Sequence, residues 1–370
     1  MAEKKVWKVK DQTSIEQQGL DLGTGSSNRA ADNFVQQNSP INNELARNED
    51  LKDLGDEKTK QMTDVRVRGA VGKHPPVYTP CRFYFDAKVD LTQLNAHGRF
   101  EVAPVDRRAH NAICTLWLNG RRRASMSEVY AIMYGYKQTH PSPDQLQKAK
   151  QALIKCSNVW IEARITDELN SKVIRNRDAL IQAGILKSRS DKLKRVTIKD
   201  TLLHLRFVET VSEQGNVTET VEILAMPALL AYNLAKNTLI SIPMDYIGLT
   251  SVKATDKSIA IQDYLLMRIL SYQAGSLREN KILYDTIYRD SGLERPTNRT
   301  EFARDRKMIA AMLSEWQSKG LLISYREVKK GRSYVGIEFE AVTKDAVKAI
   351  TGGGKEGKET KSRSEKEAHT

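Results

Sequence analysis

The stretch from Ile259 to Ala341 constrains the fold of this 370-residue chain more tightly than any other. Apolar residues at 261, 265, 266, 269 and 270 have the spacing of a buried helix face, which predicts a helix over Ile259–Tyr272 with Gly275 as its stop. A second, short helix fits Ile282–Arg289, with Leu283, Tyr284 and Ile287 on one side and Ser291-Gly292 as its end. Pro296-Thr297-Asn298 then opens a longer helix to about Lys319, in which Phe302, Ile309, Leu313 and Trp316 fall within one arc of the wheel. Gly320 is placed to cap its C-terminus. Two alternating strands follow, Leu322–Val328 and Ser333–Ala341. They are joined by Lys329-Lys330-Gly331-Arg332, a glycine-containing turn with three cations.

Helix, helix, longer helix, basic hairpin is the order of a winged helix-turn-helix. In such a unit the third helix buries one face on the first two and turns the other toward the major groove, while the hairpin reaches neighbouring phosphates or the minor groove. The outer face of the third helix carries Arg304, Lys307 and Ala311, with Arg299 near its start. A merely solvated helix face has the same composition. The adjoining tip of Lys329, Lys330 and Arg332 tilts the reading toward DNA contact.

Residues 85–235 repeat the plan with more decoration. A helix over Arg107–Leu118 buries Ala109, Ile113, Leu116 and Trp117, and Ser127 is placed to cap a helix through Tyr134. Ser142-Pro143-Asp144 starts the next helix with a capping serine, a first-turn proline and an acid at the positive dipole end. That helix runs to about Cys156 and shows Gln147, Lys148, Gln151 and Lys155 on its outer face. Glutamine and lysine can read base edges and phosphates there, although a helix with nothing to bind looks much the same. Val159–Ile165 alternates like a strand, and a basic insertion occupies 172–199. The insertion reads as an elaborated wing or as a solvated loop. A hairpin pairs Leu202–Val211 with Val217–Leu224, a helix covers Met226–Ala235, and Ile240–Ile247 bridges to the second unit.

The expected fold class is therefore α+β and helix-rich, with two tandem winged helix-turn-helix domains. Their boundaries are 78–238, for dimerisation and DNA binding, and 239–347, the principal DNA reader. The polar stretch 1–77, with Gly23-Thr24-Gly25-Ser26-Ser27-Asn28 and few aromatics, reads as a disordered N-terminal segment. Residues 348–370, opening on Gly352-Gly353-Gly354 and continuing in Lys and Glu, read as a disordered charged tail. Both ends are nearly balanced in charge, so almost all of the net +13 sits on the folded part, which suits a polyanionic partner. Three cysteines without a CxxC pair exclude a zinc ribbon and fit a reducing cytoplasm. No apolar run approaches the ~20 residues needed to cross a bilayer, so no membrane role is expected.

Catalytic chemistry finds no support. Gly352 to Lys358 echoes a phosphate-binding loop, but Glu359 stands where Ser or Thr must bind magnesium and no apolar strand leads in. The six histidines are scattered, with no HxH or HExxH pair for a metal. A DNA nickase would need such a pair beside its tyrosine. The expectation is a protein without enzymatic activity, cofactor, catalytic residue or metal site.

Three places carry a resemblance to a known family. They are Asp106-Arg107-Arg108-Ala109-His110-Asn111-Ala112-Ile113; the connector Val221 to Leu230 leading through Ile240–Ile247; and Ser258-Ile259-Ala260-Ile261-Gln262-Asp263-Tyr264-Leu265-Leu266. In layout, over about 85–345, the chain resembles plasmid replication initiators with two winged-helix domains that bind repeated origin sites (iterons). The resemblance implies binding of double-stranded DNA at those repeats, melting of an adjacent AT-rich segment, and recruitment of host replication proteins such as the helicase. It also implies a homodimer formed through the first domain. Carried over by position, Arg299, Arg304, Lys307, Lys329, Lys330 and Arg332 are the main DNA contacts, with Lys148, Gln151 and Lys155 secondary. The long N-terminal segment and the 172–199 insertion depart from the family. A dimeric winged-helix transcriptional regulator and a non-catalytic partner-docking protein would show the same surfaces.

Overall fold

The computed structural model describes residues 33–37, 39–47, 62–68, 76–85, 102–135, 141–174, 176–189, 193–215 and 217–341. In chain order the elements are β1 (Asn33–Gln37), α1 (Pro40–Arg47), β2 (Thr63–Arg68), β3 (Val77–Phe85), α2 (Pro104–Leu118), β4 (Arg123–Ser125), α3 (Met126–Met133) and α4 (Pro143–Asn158). Then come β5 (Val159–Arg164), α5 (Thr166–Asn170), α6 (Asp178–Gln182), β6 (Thr197–Thr201), β7 (Leu205–Val211), β8 (Val217–Ile223), α7 (Ala228–Lys236) and β9 (Leu239–Pro243). The chain continues with α8 (Met244–Ile247), α9 (Asp256–Gln273), β10 (Lys281–Leu283), α10 (Tyr284–Ser291), α11 (Arg299–Ser318), β11 (Ser324–Lys330) and β12 (Ser333–Glu340).

The protein is a mixed α and β structure in which one connectivity occurs twice. A helix, a short strand, two further helices and a hairpin recur in that order, as α2-β4-α3-α4-β7-β8 with β5, α5, α6 and β6 between α4 and β7, and again without interruption as α9-β10-α10-α11-β11-β12. In each module the short strand pairs antiparallel with the second hairpin strand, giving sheets of order β4-β8-β7 and β10-β12-β11. The local signals that start the helices are those a sequence can carry. Ser142 accepts from the Gln145 amide while the Gln145 side chain returns to the Ser142 amide at 2.8 Å, a capping box with proline at its first turn. Thr255 and Ser258 form the same reciprocal pair at the start of α9. Helix α3 is capped by Ser125 rather than the expected Ser127, because β4 runs directly into the helix.

Two features depart from the sequence expectations. Within the segment expected to be disordered to residue 77, β1, α1 and β2 are ordered parts of the fold. Phe34 and Ile41 are fully buried, β1 pairs with β9, and the Val35 amide donates to Thr115 Oγ1 at 3.0 Å. Periodicity misses such a segment because few apolar residues suffice when the pairing partner lies some 200 residues away in sequence. The expectation for 348–370 lies outside the described residues. The basic insertion is neither an elaborated wing nor a plain loop. It contains α6 and delivers β6 to a separate sheet of order β2-β3-β5-β6, whose strands β2 and β3 precede α2 and whose strands β5 and β6 come between α4 and the β7–β8 hairpin.

Two buried polar clusters fix the arrangement. Glu168, fully buried, accepts from Thr79, from Tyr232 at 2.8 Å and from Lys236 at 2.7 Å, tying α5 to β3 and α7. Between the modules, Arg108 of α2 donates to Asp263 at 2.7 Å and to Gln262 at 2.6 Å, both on α9. Gln262 in turn donates to the carbonyl of Ile247 at 2.8 Å. Gly135 completes the junction: at φ +73° it lies so near the backbone of Gly248 that a Cβ would come within 2.3 Å of the Gly248 nitrogen. Both left-handed backbone and close approach require glycine there. Among the described residues, no helix is long and apolar enough to cross a membrane.

Candidate nucleic-acid interface

Helix α11 buries Ile309, Met312, Leu313 and Trp316 against its module. Its start is set by Asn298, whose side chain accepts from the Thr300 amide at 2.8 Å. The helix carries three carboxylates, and each is paired with a lysine. Glu301 and Asp305 both meet Lys257, at 2.7 and 3.1 Å, and Asp305 also accepts from the Tyr288 hydroxyl at 2.8 Å. Glu315 is paired with Lys319 at 2.7 Å and accepts from the amides of Thr250 and Ser251. Burial alone would raise the Glu315 carboxyl, but Lys319, Ser251 and the two amides outweigh it and hold the group well below its ordinary range. What remains outward is cationic: Arg299, Arg304 and Lys307 are exposed, and none has an ion-pair partner among the described residues. Small residues, Ala303, Ala310 and Ala311, lie between and beside them.

The β11–β12 hairpin is clamped to this helix at its base. Arg306 meets Glu327 at 2.6 and 2.7 Å and its guanidinium lies 3.1 Å from the centroid of the Tyr334 ring. Lys329 approaches the same ring at 4.6 Å, so two cations share one phenol. Lys329 and Arg306 accordingly hold the Tyr334 hydroxyl below its ordinary pKa. Burial pushes the Glu327 carboxyl up, but Arg306 and Tyr284 outweigh it and keep the group below its ordinary value. The tip itself, Lys329-Lys330-Gly331-Arg332, is exposed throughout, with Gly331 in the left-handed region. All six candidate cations of this module lie at exposed positions, and the structure brings the tip beside the N-terminal half of α11. Arg306 and Tyr334 hold the two together, and neither stands out in the sequence. The lack of an obvious sequence spacing between them hides that contact.

The first module offers less. Lys148 and Gln151 are exposed on α4, together with Asp144 and Gln147. Lys155 corrects the expectation: it is buried and bonded to Asp106 of α2 at 2.8 Å, so it is a structural ion pair and not a surface contact. Helical spacing placed it near the edge of the outer face, where packing against α2 decides its direction. Lys150 is likewise engaged by Glu219 of β8. The β7–β8 hairpin has no Lys or Arg from Glu209 to Glu219. It shows Val211 and Val217, both 62% exposed, beside its turn.

In the insertion, Lys172, Lys187, Lys194 and Arg195 are exposed, whereas Arg189 is paired with Asp178. Arg175 and Lys192 lie outside the described residues. Among the described residues, no group of three His, Cys, Asp or Glu is arranged to hold a metal. Cys81, Cys114 and Cys156 are buried and unpaired. Burial pushes the Cys81 thiol up to about 12, which keeps it protonated and unreactive at neutral pH.

No protein-family model matches the chain, and no curated protein matches it. Among solved structures it is similar to a crystal structure of domains 2 and 3 of RctB, in a selenomethionine derivative. The identity is 9% and the TM-score 0.40, over 82% of this chain and 98% of that one. It is also similar to a second crystal structure of the same two domains, at 7% identity and TM-score 0.38, over 78% of this chain and 93% of that one.

Proposed function

We propose that this protein is a non-enzymatic, sequence-specific duplex-DNA-binding replication initiator of the plasmid type, built from two tandem winged helix-turn-helix modules. The second module is its principal reader. The observation that carries the reading is the surface of α11, where every carboxylate of the helix is paired with a lysine and Arg299, Arg304 and Lys307 are exposed without an ion-pair partner among the described residues. Helix α11 enters the major groove, and the clamped tip of Lys329, Lys330 and Arg332 meets the flanking phosphates. Lys148 and Gln151 on α4 contribute secondary contacts. The protein acts in the cytoplasm on repeated origin sites, opens an adjacent segment and hands it to host replication proteins, the helicase among them. A homodimer through the first module is its second assembly state.

Selection of bound duplexes from a random pool at moderate salt, followed by sequencing, tests this reading. Enrichment of a site that recurs as direct repeats beside the encoding gene is the expected result. An enriched palindrome would make the protein a regulator, and no enrichment would remove sequence-specific recognition. On the enriched site, Arg304→Ala is expected to weaken binding by about 1–3 kcal/mol if it contacts a base. Unchanged discrimination between sites would take Arg304 off the readout face.

A further inference from the structure

The β2-β3-β5-β6 sheet has one face in the core and one turned outward, and the outward face has a composition that sheet stability does not account for. Cys81, Phe83 and Phe85 of β3, Val159, Ile161 and Ala163 of β5, and Ile198 of β6 alternate into the core. The residues between them share the other face. From register, one row holds Arg66 and Tyr78, and the next Asp64, Pro80, Arg164 and Thr197. A third row holds Arg82, Glu162 and Lys199, and a fourth Tyr84, Trp160 and Thr201.

Tyr84 and Trp160 lie nearly parallel, with an interplanar angle of 14° and ring centroids 6.3 Å apart, and the Arg82 guanidinium sits 5.3 Å from the Tyr84 ring. Tyr78 is 44% exposed, six residues from Tyr84 along β3, or about 20 Å of strand. Cross-strand pairing explains Tyr84 with Trp160 and Arg82 with Glu162, as in many antiparallel sheets. Tyr78, opposite Arg66, is exposed, and among the described residues no ion pair engages the exposed cations Arg66, Arg164 and Lys199, on a face whose carboxylates are Asp64 and Glu162. Glu162 is already engaged by Arg82. Exposed Lys194 and Arg195 extend the positive region at the approach to β6.

We propose that this sheet face binds a single-stranded nucleic acid. Aromatic rings spaced along a strand with cations between them supply what an unpaired strand needs. Bases stack on the rings, which every base can do irrespective of sequence, and the guanidinium and ammonium groups meet the phosphates. A duplex cannot use the rings, because its bases are already stacked and paired. The site lies on different elements from α11 and the β11–β12 tip, so it serves an opened strand beside a duplex-reading module.

The test uses the full chain and fluorescent single-stranded oligomers of deoxythymidine and of uridine, with a random-sequence duplex as the third probe. At least one single strand is expected to bind, and the tighter of the two names DNA or RNA as the source. The double variant Arg164→Glu/Lys199→Glu, at two exposed positions, is expected to weaken single-strand binding by about tenfold or more while leaving duplex binding nearly unchanged. Bound strand is expected to quench tryptophan fluorescence in the natural chain and much less in Trp160→Phe, which keeps an aromatic ring and its packing. Binding of neither oligomer, or equal loss for duplex and single strand in the double variant, would overturn the assignment. An unchanged quench in Trp160→Phe would do the same.

Discussion

The two modules share a connectivity and differ in what they present. In the second, the carboxylates of α11 are drawn to Lys257 and Lys319, and the hairpin tip carries three cations. In the first the polarity is reversed: it is the lysines of α4 that are drawn away, Lys150 to Glu219 and Lys155 to Asp106. The outer face is left with Asp144, Gln147, Lys148 and Gln151, and the hairpin is acidic with exposed valines. The same chain path thus yields one surface suited to phosphate and one close to neutral. Connectivity follows from apolar periodicity and turn residues, whereas affinity for a polyanion depends on which charges find partners inside the module. Counting cations along a helix is insufficient to identify a reader.

Separating the modules is expected to have the largest effect. Arg108 is almost completely buried and bridges α2 to Asp263 and Gln262 of α9. Arg108→Ala leaves the Asp263 carboxylate without its partner at a mostly dry junction, and the expected loss is about 3–5 kcal/mol. Urea unfolding at neutral pH measures it. The double variant Arg108→Met/Asp263→Leu removes both charges and is expected to recover most of that loss. If Arg108→Ala costs less than about 1 kcal/mol, the modules are not coupled through this contact.

How much of this was readable beforehand divides along the same line. The helices and hairpin of the second module are legible because their signals are local: the apolar arc of Ile309, Leu313 and Trp316, the Asn298 start, the glycine in the tip. The exception is the start of the short helix, where Ile282 and Leu283 belong to β10 and Leu283 is exposed. Its six candidate cations are exposed for the same reason. Lys155 was misread because its direction is set by Asp106, 49 residues earlier, and a helical wheel knows nothing of a neighbouring helix. Phe34 and Ile41 were missed because their segment is polar in bulk, and only pairing with β9 reveals their use. Arg108 and Asp263 are 155 residues apart, and nothing local links them. Interactions between distant residues are where the sequence reading failed, and they decide both the junction and the charge of the first module.

Acid distinguishes the modules at a smaller scale. All six histidines lie outside 239–347, and His110 of α2 is the deeply buried one among those described. Burial lowers its pKa from 6.5 to about 4, with Gln37 3.4 Å from Nδ1. Between those two values the unfolded chain takes up a proton that the native ring refuses. Stability from this group is therefore complete above about pH 6.5 and declines by about 3 kcal/mol as pH falls to 4. Glu315 in the second module acts in a lower window. Its carboxyl is depressed in the native state, so its contribution is present above about 4.5 and is lost only below that. Urea midpoints between pH 7 and 4.5 are expected to fall for the natural chain and to flatten in His110→Gln. An equally steep profile in that variant would assign the acid sensitivity to other groups.

The finest test compares single lysines by salt dependence. Each phosphate contact contributes about 0.9 to the slope of log affinity against log salt on duplex DNA. If the second module is the reader, Lys307→Ala lowers the slope by about that amount, and Lys148→Ala, on a face it shares with Asp144, lowers it by less. Lys155→Ala serves as the internal contrast. It leaves Asp106 buried without its cation and so destabilises the protein, but at temperatures where the chain remains folded the slope is expected to stay unchanged. Equal slope changes for Lys148 and Lys307 would make the modules equivalent on DNA, and the neutral face of α4 would then have to gain its charge from elsewhere, with exposed Lys194 and Arg195 of the insertion the first places to substitute.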